Sequence, residues 1–182
     1  MIDKTLRFLR DQLNGYIKLK TGVKRDAIVF MDGTKVGVEA LRNNAINLVM
    51  LNLDEDRLMR TLKDVPQGQA PDVKVNLYLL FVAHFADYLQ SMQSLSLVVK
   101  FFQGHPSFNQ KNSPTLDPEI QKLVMELLRL PIAENNGSWE LGRLSYPPSI
   151  LYRTRLLVLR DDEAIDDGSE VVSISGGAEL KN

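Results

Sequence analysis

Apolar residues recur every three or four positions at the start of the chain: Ile2, Leu6, Leu9, Leu13, Tyr16 and Ile17. Lys4, Arg7, Arg10, Asp11 and Lys18 fall on the other side. That period predicts an amphipathic helix over residues 2–20, ended by Gly22. The pattern then changes to Ala27–Met31, a β-branched and aromatic run that reads as a strand. Asp32-Gly33 stands between two apolar runs, and both residues tolerate positive φ, so a tight hairpin is predicted there. Ala45–Leu53 reads as the next strand, with Ile46, Leu48, Met50 and Asn52 on one face. Asp54-Glu55-Asp56 closes it as a solvated strand end, ahead of a short turn of helix at Arg57–Leu62. Val65–Asp72, with two prolines and a glycine, predicts a loop.

Val73–Val82 is almost wholly apolar, the pattern of a central strand covered on both faces. From about Ala83 the period becomes helical, through Phe85, Tyr88, Leu89, Met92, Leu95, Val99 and Phe102. Asp87, Gln90, Gln93, Ser94 and Lys100 face outward on that reading. Gly104–Pro118 is rich in turn formers and predicts an irregular excursion, closed by Asp117-Pro118-Glu119 as a helix cap. Residues 120–130 fit either period: Leu123, Leu127 and Leu130 suit a helix, whereas Leu123, Met125 and Leu127 suit a strand. Composition favours the helix. Trp139 reads as a structural residue that packs a helix onto a sheet, and Tyr146-Pro147-Pro148 as a stiff extended corner. Ile150–Leu159 reads as the last strand, with Arg153 and Arg155 making one face cationic, which suits a sheet edge or an interface. Glu170–Gly177 reads equally as an added strand or as part of a disordered tail.

Charge changes this picture. Residues 161–182 carry seven carboxylates, Asp161, Asp162 and Glu163 among them, against Lys181 alone, a net of −6. The rest of the chain is +5, since the whole is −1. The first 25 residues are basic, with Lys4, Arg7, Arg10, Lys18, Lys20, Lys24 and Arg25 against Asp3 and Asp11. Opposite ends of opposite sign suit a contact between copies of the chain, a self-shielding tail, or simply solvated termini. The candidate interface residues are therefore Arg7, Arg10, Lys18, Arg153, Arg155, Asp161, Asp162 and Glu163.

The 182 residues, 44% hydrophobic and 25% charged, describe one globular unit. There is no cysteine, which excludes disulfides and thiolate chemistry and fits a reducing compartment. The N-terminal segment is charged and amphipathic, unlike a secretory signal. No apolar stretch approaches the roughly 18 residues a spanning helix needs, so no membrane insertion is expected. His84 reads as a packing or capping residue and His105 as solvated, and neither has the neighbours of a zinc site. The sequence holds no GxSxG, no P-loop and no GxGxxG. Glu119, Glu126, Glu134 and Glu140 form no recognisable acid–base pair. The expected site inventory is thus empty: no catalytic residue, no cofactor, no metal. A pI near 6.1 and aromatics at core spacing argue against a nucleic-acid partner.

In order and spacing, several segments resemble the tail-cap, or tail-terminator, family of phage-tail-like contractile injection systems. They are Leu13–Lys18, Leu51–Asp56, Asn76–Tyr88, Leu95–Gln103, His105–Phe108 and Trp139–Arg155. The resemblance implies an α+β fold with a mixed, mainly antiparallel sheet flanked by an N-terminal helix and a long central helix. It turns residues 120–130 toward strand, against composition. It implies residues 1–160 as the tail-cap domain, with 161–182 an acidic tail or arm. It also implies a non-enzymatic ring of six copies on the baseplate-distal end of a contractile tail, touching inner-tube and sheath proteins and stopping their growth. Such a part would assemble in the cytoplasm, in a particle either released or membrane-attached. Two other classes, an enzyme with an unrecognised site and a peptide-binding adaptor, require no such oligomer.

Overall fold

A computed structural model describes residues 1–35, 37–55, 73–129 and 147–158. The first helix, α1, is Ile2–Thr21, and its inner face buries Phe8, Leu9, Leu13 and Ile17. It stops where the period predicts. Gly22 takes φ 70°, a left-handed conformation that costs a glycine little, and its N–H donates to the Lys18 carbonyl at 2.9 Å.

Among the described residues, six strands form one sheet in the order β1-β2-β3-β6-β5-β4. They are β1 (Ile28–Phe30), β2 (Ala45–Glu55), β3 (Val73–His84), β4 (Ser107–Asn109), β5 (Ile120–Leu128) and β6 (Ser149–Val158). Only β1 and β2 run parallel, and every other neighbouring pair is antiparallel. The class is α+β with a mixed sheet, as expected. β3 lies between β2 and β6, and side chains from both of its faces are buried: Leu77, Leu79 and Phe81 on one, Leu80 and Val82 on the other. The second helix, α2, is Tyr88–Gly104. The core packs α1 and α2 onto the Leu77–Leu79–Phe81 face, where Phe81 meets Phe102 and Tyr152 at 5.9 Å and Phe8 meets Phe108 at 5.3 Å. Each ring of this kind contributes about 1.5–3 kcal/mol through burial.

Several expectations change. Asp32-Gly33 is not a hairpin tip. The Asp32 carboxylate accepts from the Thr34 N–H at 3.0 Å and its hydroxyl at 2.7 Å, and the chain enters a 3₁₀ turn at Gly37–Ala40. β1 pairs instead with β2. Burial decides this: Ile46 and Leu48 of β2 are sealed into the core, whereas Val38 stays exposed. β2 does not alternate in burial: Ala45–Leu48 are all buried, Met50 is exposed, and the register slips between Met50 and Asn52. α2 begins at Tyr88, not near Ala83, because β3 continues to His84 and Asp87 caps the helix, its carboxylate accepting from the Leu89 N–H at 3.0 Å. Tyr88, Leu89 and Met92, read as inward, are exposed.

The turn-rich excursion contains β4. Residues 120–128 are strand, and Asp117 caps a turn into it rather than a helix, accepting from the Glu119 N–H at 3.0 Å. β6 is no edge, since β5 takes its free side. The expectations for residues 57–62, 65–72, Trp139, Tyr146 and 170–177 lie outside the described residues.

Candidate assembly surface

The sequence-predicted contact residues divide sharply once placed. Arg10 is spent within the fold. It reaches the Asp11 carboxylate at 2.7 Å, and its guanidinium lies 5.0 Å over the Phe30 ring, tying α1 to β1. Lys18 pairs with Asp26 at 2.6 Å across the connection that follows α1. Arg7 is exposed, with no ion pair to any described residue. Arg153 and Arg155 both reach Glu126 Oε2, at 2.7 and 3.0 Å, so one carboxylate faces two guanidiniums. Arg153 beside it holds the Glu126 carboxyl below the usual carboxylate range. Asp161, Asp162 and Glu163 lie outside the described residues.

Other groups that single-sequence reasoning missed are brought together by the fold. Lys4 sits between Asp117 at 3.0 Å and Glu119 at 3.1 Å, clamping the start of α1 to the turn before β5. Glu126 stands directly opposite Arg153 on the adjacent strand. Only the register of β5 on β6 makes that pair, and no local spacing announces it.

Two features expose apolar surface. The outer edge of β2 is covered by β1 only as far as Leu48, and no described strand pairs with that edge over residues 49–54. Met50, Leu51 and Leu53 are exposed there, a ready template for strand addition. Secondly, a groove runs along each side of α2. One, of about 530 Å³, lies between α2 and the start of β6, lined by Tyr88, Met92, Val99 and Ile150. The other, of about 540 Å³, lies between α2, the end of α1 and the starts of β1 and β2. Ser96 and Lys100 line both.

Reactive chemistry is sparse in this frame. Among the described residues no group of three or more His, Cys, Asp or Glu side chains is placed to hold a metal ion. His105 serves the end of α2: its N–H donates to the Phe101 carbonyl at 2.9 Å and its ring stacks on Phe101 at 4.8 Å. His84 ends β3, and its Nδ1 is buried without a hydrogen-bond partner. No described helix is long and apolar enough to cross a membrane.

The family model of the Pvc16 N-terminal domain matches residues 4–173, well past residue 160. A solved structure described as the PVC sheath/tube terminator of an extracellular contractile injection system, in its extended state, has the same fold, with a TM-score of 0.55 at 16% identity. That likeness covers 100% of this chain but 64% of the other. No curated protein matches the sequence.

Proposed function

The chain belongs to the Pvc16 N-terminal domain family, and from that premise we propose that it is a structural part of a contractile injection system, the cap on the blunt end of its tail. The family match over residues 4–173 carries this reading. A fold shared with a sheath/tube terminator supports it.

Six copies form a ring on the baseplate-distal end of the inner tube and sheath, and growth of both stops there. The protein is not an enzyme on this reading, and its work is done by surfaces. Residues 1–160 form the cap body and residues 161–182 an acidic arm. Arg7 and Arg155, exposed and basic, make contacts between copies, while Arg10, Lys18 and Arg153 chiefly hold the fold that presents them. Assembly takes place in the cytoplasm.

The test is direct. Purified chain is mixed with inner-tube filaments and imaged by negative-stain electron microscopy, and its mass is followed by light scattering. Density confined to one filament end, with a species of six times the 20.6 kDa chain, is the expected result. A monomer that leaves both filament ends bare overturns the proposal.

A further inference from the structure

The groove between α2 and the end of α1 has a distinctive chemistry. Its floor is the outer surface of the core: Ile17, Ala27, Ile46, Phe85 and Leu97. Its two charged members are Arg25 and Lys100, both exposed and without an ion-pair partner among the described residues. Asn44, Gln90 and Gln93 add amide donors. Among the described residues no carboxylate lines it. An apolar floor beneath two unspent cations fits a peptide that alternates acidic and apolar residues.

The chain carries such a peptide. Residues 161–182 hold seven carboxylates, interleaved with Ala164-Ile165, Val171-Val172 and Ile174. We propose that the acidic arm of one copy docks in this groove of a second copy, linking subunits head to tail. This rests on the reading that copies assemble.

The arm's own groove lies at the far end of the sheet from the strand that precedes it, and a second copy offers the same groove without that return path. β6 is antiparallel to β3, so Val158 lies beside Val73, while the groove opens beside Phe85, past the other end of β3. A strand of this length spans about 30 Å. β6 therefore ends on the side of the sheet remote from the groove of its own copy. A heterologous contact of this type closes into a ring when the rotation between copies allows it. The unspent charge also lies here rather than at Arg10, which Asp11 and Phe30 already occupy.

The absence of native cysteine makes the test clean. The 182-residue chain carrying Gln93→Cys at the groove rim is mixed with a differently tagged 182-residue chain carrying Ser173→Cys in the arm. A disulfide between the two should exceed that formed by a Lys122→Cys control on β5 by more than about tenfold, because docking raises the local concentration of the arm thiol. Arg25→Glu with Lys100→Glu in the groove chain should abolish the excess, and so should salt near 1 M, where the screening length is about 3 Å. Yields equal to the control, or a disulfide formed only within a chain that carries both cysteines, overturn the proposal. Filament-end decoration is scored on the same proteins. If ends are capped without the cross-link, arm docking fails and the cap function stands; if no variant or wild-type chain reaches the ends, the cap function itself fails.

Discussion

Asn14 is a polar residue on the buried face of α1, only 4% exposed. Its Oδ1 accepts from the Ala27 and Ile28 N–H groups at 2.9 and 2.8 Å, and its Nδ2 donates to the Ile28 carbonyl at 3.0 Å. One side chain thus satisfies the backbone at the start of β1, where no described strand lies on the outer side. Replacing it with leucine leaves buried backbone groups unpaired, each costing about 1–3 kcal/mol. Asn14→Leu should therefore move the urea midpoint down by an amount corresponding to about 3 kcal/mol, with the slope unchanged. Tyr152 offers a second residue-scale test. Burial alone pushes its phenol up to about 12 from an ordinary 10. The folded state therefore holds the proton more tightly than the unfolded chain. Its contribution is complete below pH 10 and is lost as pH rises toward 12. Tyr152→Phe should flatten the fall of stability in that window, read from denaturation at stepped pH.

α2 and β2 show how the ends of elements escape hydrophobic pattern. α2 continues the apolar period back through Leu89 and Phe85, yet Asp87 decides where the helix starts, by taking an extended backbone and capping the Leu89 N–H. Removal of that cap in Asp87→Ala should cost about 1 kcal/mol and lower the melting temperature by several degrees. β2 is the opposite case, because its apolar residues run past the reach of its neighbour. Leu51 is 53% exposed on the open edge. Leu51→Lys should leave the melting temperature within about a degree while reducing concentration-dependent association, since edge lysines block strand addition. A large loss of stability would show instead that Leu51 supports the fold.

At the scale of the molecule, charge is the property that assembly would use. Internal pairing accounts for Lys4, Arg10, Lys18 and Arg153. Arg7 has exposed charge to offer. Arg7→Glu should leave unfolding unaltered yet shift the mass seen by light scattering toward smaller species, most clearly at low salt. An unchanged oligomer would remove Arg7 from the contact surface. The acidic side is sensitive too: Arg153 and Arg155 depress the Glu126 carboxyl, so its contribution is present above the ordinary carboxylate pKa and lost as pH falls through the folded value.

Local physics made much of this fold legible in advance. The period of α1, the glycine that ends it, the apolar run of β3 and the alternation of β6 all follow from preferences acting over a few residues. Residues 120–128 show where that reach ends: their own pattern fits helix or strand, and β6 on one side with β4 on the other holds them as strand. The same holds for Asp32-Gly33, where the buried partner of β1 outweighs a strong turn signal. Likewise the Glu126–Arg153 pair and the Arg25–Lys100 groove join residues 27 and 75 positions apart. Their meeting depends on strand register and helix placement. Those are set by the burial summed over the whole core, a quantity to which no short stretch of chain has access.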